Sequence, residues 1–147
     1  MFRSFALLLL FFTNAAAAQS VNDCAWQASA WNLAEPWEAN TRTFANGDVR
    51  LAILDTIEPA VAAYHVLVLS PPYGPVGDRQ CRVISLDQGT GFANIDWTTL
   101  DASYDPAIGL TFHLQVQGRD PATAGFVTQW LTFTVNQASG QIHVWLQ

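Results

Sequence analysis

Apolar and polar side chains alternate with a period of two along much of the chain after residue 40, which predicts antiparallel β-strands. The alternation is clearest over residues 110–117, where even positions are apolar and odd positions carry threonine, histidine or glutamine. Pairing this stretch with residues 102–104 across a turn at 105–109 places Ala102 opposite Phe112 and Tyr104 opposite Leu110. We therefore expect this strand to have one apolar face and one polar, uncharged face.

Turn chemistry predicts two further hairpins. Asn46-Gly47 separates residues 41–44 from 49–56 and tolerates the positive φ values of a two-residue turn, so Phe44 should lie opposite Val49. At the C-terminus, two short runs should pair across a turn at 136–140 and bury the same side. The expected apolar pairs are Leu131–Leu146, Phe133–Val144 and Val135–Ile142.

Residues 60–69 are apolar at both parities apart from Tyr64 and His65, which predicts a strand buried on both faces at the centre of the core. The following stretch, 70–78, is rich in proline and glycine and is expected to be an exposed loop. The strand pattern resumes over 80–86 and breaks at 87–91. Gly89-Thr90-Gly91 is interpreted as a turn because no strand–glycine–helix context for a phosphate loop surrounds it.

Residues 22–38 lack alternation and contain three of the six tryptophans, at positions 26, 31 and 37. Pro36 limits any helix to the stretch before it. We expect a short helix or an irregular strap whose tryptophans cover one end of the β-structure. A disulfide between Cys24 and Cys81, the only two cysteines, should tie this strap to a strand.

These patterns together predict an all-β fold, an antiparallel sandwich or partly closed barrel of seven or eight strands with an N-terminal Trp-rich strap or short helix. Residues 19–147 contain no repeat, low-complexity run or linker, so they are expected to form a single β-rich domain. Strand order and barrel closure do not follow from the pattern.

The first 18 residues have the order of a secretory signal peptide: Arg3, an apolar stretch over 5–12, and alanines at 15–18. The apolar stretch is shorter than the roughly 20 residues that a transmembrane helix needs. We therefore expect cleavage after Ala18, no membrane anchor afterwards, and a periplasmic or secreted protein. A disulfide would persist in such an oxidising compartment.

The charge balance argues against two classes of partner. The formal net charge is −6, and removal of Arg3 with the leader would make it more negative. Phosphate backbones and anionic lipid surfaces attract clustered positive charge, of which the sequence has none. Nucleic acid and anionic membrane surfaces are therefore not expected partners.

No catalytic, phosphate-binding or calcium-binding motif occurs in the sequence. The parity of the predicted strands places His113 and His143 on polar faces and His65 in the core, which argues against a shared zinc site. The carboxylates at 96, 101 and 105 are spaced around a turn and are interpreted as solvated charges and turn residues. We expect no cofactor, no metal and no enzymatic activity.

The polar face of the C-terminal hairpin has a composition that suits binding. It would carry Trp130, Thr132, His143 and Trp145, with the two indoles diagonal to one another and no charge. Such a face suits sugar rings, which pack on indole, and also a Trp-rich protein interface. The expected packing is nevertheless that the N-terminal strap covers both tryptophans in a second small core, because paired tryptophans are rarely left in water.

Six fragments carry a family resemblance: PWE at 36–38, RTFANG at 42–47, LVLSP at 67–71, RQCRV at 79–83, YDP at 104–106 and VNQASG at 135–140. In these fragments the chain resembles short, uncharacterised, β-rich exported proteins of Gram-negative bacteria. The resemblance implies a periplasmic setting and brings neither an activity nor functional residues.

The sequence therefore predicts a non-enzymatic periplasmic binding or interaction module whose unknown partner is a glycan or a protein. Two alternatives stay open. One is a carrier of a small ligand, which requires an apolar cavity, and the other is a histidine-based metalloprotein or enzyme.

Overall fold

The computed structural model describes residues 19–120 and 122–147. The predicted signal peptide, residues 1–18, lies outside the described residues. The described chain is all-β and forms two antiparallel sheets, of five and four strands, without closing a barrel. The predicted fold class is thus confirmed, in its sandwich form.

The described residues contain nine strands, one more than the upper prediction. The first sheet has the order β1-β5-β4-β3-β2 and the second the order β6-β7-β8-β9. Their bounds are β1 Ser20–Asp23, β2 Thr41–Phe44, β3 Val49–Asp55, β4 Tyr64–Tyr73, β5 Arg79–Ser85, β6 Asn94–Asp105, β7 Gly109–Arg119, β8 Phe126–Val135 and β9 Ile142–Leu146.

Inward-facing side chains of both sheets meet in one apolar core. Three phenylalanines contact one another there, with the ring centroid of Phe112 lying 4.9 Å from that of Phe44 and 4.9 Å from that of Phe133. One contact is edge-to-face and the other stacked. The Phe44–Phe112 contact joins the two sheets, whereas Phe112 and Phe133 are cross-strand partners in the second sheet. Both contacts add to the free energy of burying the rings.

The predicted hairpin registers are confirmed. Phe44 pairs with Val49, and the turn between them holds Asn46 and Gly47 at φ values of 55° and 94°. The predicted pairs of β6 with β7 and of β8 with β9 are also present. In each case a short turn and matched apolar faces fix the register.

The bounds predicted for β4 are wrong at both ends. Residues 60–63 precede the strand in a turn, in which the Ala62 N–H donates to the Pro59 carbonyl. At the other end the strand continues through Pro71 and Pro72 to Tyr73. The pairing of β4 with β5 shifts register between Ser70 and Tyr73, so the prolines occupy an irregularity where the regular ladder is already interrupted.

The N-terminal strap differs from the prediction in both form and position. It contains two short 3₁₀ turns, Trp26–Ala28 and Ala30–Asn32, and no α-helix. It crosses the outer face of the first sheet, where Ala28 and Leu33 pack against an outer apolar cluster. The predicted disulfide is present between Cys24 and Cys81, whose Cα atoms lie 5.4 Å apart.

The strap tryptophans do not cover the β-structure as expected. Trp26, Trp31 and Trp37 are 62%, 85% and 53% exposed. The strap uses small side chains and backbone for its packing instead, and the buried Asn32 side chain donates to the Trp26 and Gln27 carbonyls. Hydrogen bonds within the strap and the apolar contacts of its small side chains hold it against the sheet, so the indoles are not needed for that packing.

Candidate binding face on the second sheet

The outer face of β7, β8 and β9 brings the predicted binding residues together. We call it the tryptophan face and define it by Trp130, Thr132, His143 and Trp145, together with His113. Strand alternation directs these side chains away from the core, because their neighbours Leu131, Phe133 and Leu114 are fully buried between the sheets.

The order of side chains on this face follows from the strand registers. Across β7, β8 and β9, His113 pairs with Thr132, and Thr132 pairs with Trp145. Trp130 lies two residues before Thr132 on β8, so the two indoles are diagonal neighbours, and such residues lie roughly 7–8 Å apart in an average sheet. The predicted diagonal arrangement is therefore the one that these registers give.

The strap does not cover these tryptophans, so the predicted second small core is wrong. Trp130 is 43% exposed and Trp145 is 37% exposed. The physical reason is that the strap packs on the first sheet, on the far side of the core. The tryptophan face is consequently a free surface of the described chain.

A hydrogen bond fixes the centre of the face. The Nδ1 atom of His113 lies 2.8 Å from the hydroxyl oxygen of Thr132, which is only 2% exposed. The registers place Thr132 between His113 on β7 and Trp145 on β9, with Trp130 two residues before it on the same face of β8. This bond satisfies the buried hydroxyl and restrains the imidazole at the centre of the face.

Strands β8 and β9 carry no charged residue along their whole length. A recess of about 260 Å³ adjoins His143 at one end and is lined in part by Thr134, Asn136 and Gln141. At the other end, a smaller recess of about 100 Å³ is lined in part by Gln115. The Asp96 carboxylate also lines this smaller recess, so neutral amides and hydroxyls flank the indoles at one end of the face, and amides together with one carboxylate flank them at the other.

The histidines do not form a shared site. His65 lies on the outer face of the first sheet, where its Nδ1 atom is 2.8 Å from the Ser85 hydroxyl oxygen. His113 and His143 lie on the outer face of the second sheet, so the core separates them from His65. Residues 19–120 and 122–147 hold no group of three or more His, Cys, Asp or Glu side chains that could bind a metal ion.

Burial determines the state of His65. It is 3% exposed, and desolvation lowers the pKa of its imidazole below the usual 6.5. The ring is hydrogen-bonded to Ser85, so His65 is buried and satisfied as predicted, but it lies on the outer side of the first sheet and not in the core between the sheets. Its burial and its hydrogen bond therefore indicate a structural role for His65.

The three predicted turn carboxylates are not arranged as a catalytic pair. The Asp96 carboxylate accepts hydrogen bonds from the Thr98 N–H and hydroxyl, and the Asp105 carboxylate accepts one from the Ala107 N–H. Asp101 pairs with His113 across the ladder, but their side chains form no ion pair. These contacts are local turn and bulge chemistry, as the spacing predicted.

Sequence reasoning placed Asn136 and Gln141 on the same side of the hairpin as the indoles but missed His113 and Gln115 of β7 as members of this face. The alternation over 110–117 had placed His113 and Gln115 on a polar face. The missing information was the pairing of β7 with β8, which sets His113 beside Thr132 and Gln115 beside Trp130. No short-range turn signal specifies that pairing.

The described chain has no helix that is long and apolar enough to cross a membrane. Its disulfide is compatible with a protein of an oxidising compartment. No protein-family model matches the chain, and comparison with curated proteins and with solved structures found no significant match.

Proposed function

We propose that this protein is an exported, non-enzymatic module that binds a neutral glycan on the tryptophan face, in the periplasm or outside the cell. Removal of residues 1–18 during export is part of this proposal. The observation that carries it is the pair of partly exposed indoles, Trp130 and Trp145, on strands β8 and β9, which carry no charged residue.

The chemistry of the face matches that of a sugar chain. Axial C–H groups of a pyranose pack on an indole, while its hydroxyls exchange hydrogen bonds with amides, hydroxyls and imidazole. The recess beside His143 supplies such groups through Asn136 and Gln141, and the opposite recess does so through Gln115. A glycan that spans both indoles would reach both recesses.

A glycan fits this surface better than a protein partner does. The centre of a protein interface is enriched in apolar contact area. On β8 and β9, the outward positions between Trp130 and Trp145 carry threonine and histidine, and the aliphatic residues there face the core. The apolar area available at the centre of the face is therefore that of two indoles.

The test is calorimetric titration of the purified protein with soluble peptidoglycan fragments and with a panel of neutral oligosaccharides. Trp145→Ala and Trp130→Ala should each weaken binding by about thirtyfold or more, the loss expected for truncating a central Trp of an interface. The matched control is Trp31→Ala, which removes an indole that is 85% exposed on the strap.

The control variant should bind like the wild type, and circular dichroism should show that all the variants are folded. The proposal is wrong if no glycan in the panel binds, or if Trp31→Ala weakens binding as much as Trp145→Ala. Capture of a periplasmic protein that depends on Trp145, with no glycan bound, would overturn it in favour of a protein interface.

A further inference from the structure

A second cavity lies on the other side of β8 and β9 from the tryptophan face. It is a cleft of about 670 Å³ with the apolar side chains of Leu86, Val127 and Leu146 in its wall. Gln129 also lines it, and it alternates along β8 with the outward-facing Trp130. The cleft therefore opens near the end of the sandwich core and is separate from the proposed glycan site.

Gly118 on β7 lies against two residues of the cleft wall. A Cβ atom at this position would lie 3.4 Å from both Leu86 methyl carbons and 3.7 Å from Gln129 Oε1, so it would point at residues of the cleft wall. A larger side chain there would press on Leu86 and Gln129 and change the shape of the cleft wall. The volume of the cleft lies within the roughly 300–1,000 Å³ of small-molecule sites.

Arg119 lines the cleft beside its apolar wall. Its guanidinium forms no hydrogen bond or ion pair with any described residue, which among the described arginines is otherwise true only of Arg50. The chain is acidic overall, so an arginine without a carboxylate partner at an apolar cleft is a specific source of positive charge.

Two carboxylates near Arg119 limit where an anion could bind. Asp120 follows it in the chain, but its carboxylate accepts hydrogen bonds from the Ala122 N–H and the Thr123 hydroxyl. Asp87 lines the cleft and forms no ion pair with Arg119. A ligand with one anionic end therefore has only one favourable orientation, with its head group at Arg119 and away from Asp87.

We propose that this cleft binds a free fatty acid, with the acyl chain against Leu86, Val127 and Leu146 and the carboxylate at Arg119. Apolar burial supplies the affinity for the chain, and a charge-assisted hydrogen bond from the guanidinium selects a carboxylate over a neutral head group. This site goes beyond the proposed glycan function and does not depend on it.

The experiment is a calorimetric titration of the purified protein with dodecanoate, kept below the concentration at which dodecanoate forms micelles. Arg119→Gln should weaken binding by about tenfold or more, the effect of losing one hydrogen bond to a charged group. The matched control is Arg50→Gln, because Arg50 is also exposed and has no bonded partner among the described residues but does not line the cleft.

A filling variant tests the cleft itself. Gly118→Val places a β-branched side chain in a strand and against the cleft wall, so it should fold and lose dodecanoate binding. Trp145→Ala, on the opposite face, should leave dodecanoate binding unchanged. Thermal unfolding of each variant separates loss of the cleft from loss of the fold.

Each remaining outcome overturns part or all of the proposal. The proposed site is refuted if dodecanoate does not bind, or if folded Gly118→Val binds it normally. The proposed role of Arg119 is refuted if dodecanol and dodecanoate bind with equal affinity, or if Arg119→Gln binds dodecanoate as tightly as the wild type does. Binding to phosphatidylglycerol vesicles without binding to free dodecanoate would replace the fatty acid by a lipid surface.

Discussion

Removal of the Cys24–Cys81 disulfide should destabilise the protein while leaving its native structure intact. The two cysteines are 57 residues apart in the chain. Closing a loop of that length lowers the entropy of the unfolded chain, which corresponds to a stabilisation of about 4 kcal/mol in the chain-entropy model. Substituting both cysteines by alanine should therefore lower the free energy of unfolding by about that amount.

The native structure should survive because noncovalent contacts already hold the two ends of this loop together. Strand β1 pairs with β5 from Ser20–Ser85 to Asp23–Arg82, immediately before the disulfide. The Cys24 N–H also donates a hydrogen bond to the Cys81 carbonyl, at 3.3 Å. The change thus acts mainly on the unfolded state, in a domain class whose total stability is about 5–15 kcal/mol.

Urea unfolding of the wild type and of Cys24→Ala/Cys81→Ala, each with and without reductant, measures this difference. Reductant should destabilise the wild type and have no effect on the double variant. In a thermal scan the loss should correspond to about 15 °C. A loss below about 1 kcal/mol in both comparisons would refute the chain-entropy reasoning, because the unfolded chain would then gain little freedom when the link is removed.

Two further predictions concern His65 and Gly91. Because burial lowers the native pKa of His65 below 6.5, the unfolded chain binds a proton more readily, and stability should fall as the pH drops below about 6.5. The slope is at most about 1.4 kcal/mol per pH unit for this group. Urea titrations at several pH values should show a smaller slope in His65→Gln, and an unchanged slope would contradict the assignment. Gly91→Ala should destabilise by about 1–3 kcal/mol, because its Cβ would lie 2.5 Å from the Tyr64 carbonyl oxygen. Gly118→Ala, whose Cβ would make ordinary contacts, is its control in the same unfolding assay, and equal losses in the two variants would show that the close approach is not the cause.

Local patterns were sufficient for the hairpins because a short turn leaves few registers that bury one face. Phe44 opposite Val49 and Phe133 opposite Val144 are examples in which turn and alternation agree. The same local rules failed for β4. Proline at positions 71 and 72 argues against a regular ladder, but whether the strand ends or continues past an irregularity depends on its partner β5.

The fatty-acid cleft could not have been predicted from the sequence. Its walls come from Leu86, after β5, and from Val127 and Leu146 on β8 and β9. These residues are far apart in the chain and meet only because β1 and β5 of one sheet pack near β8 and β9 of the other. Gly118 lies close to Leu86 and Gln129 of the wall, a proximity that a hydrophobic pattern does not reveal.

The exposure of Trp130 and Trp145 follows from the position of the disulfide. Cys81 projects from the outer face of β5 together with Val83, so the strap that begins at Cys24 is tied to the outside of the first sheet. The tryptophans project from the outer face of the second sheet, on the other side of the core, where the strap does not lie. The sequence indicated the disulfide and the face of each strand, but not which sheet contains β5. Had that assignment been known, the same disulfide would have predicted uncovered indoles, because one short strap fixed to one sheet cannot also cover the outside of the other.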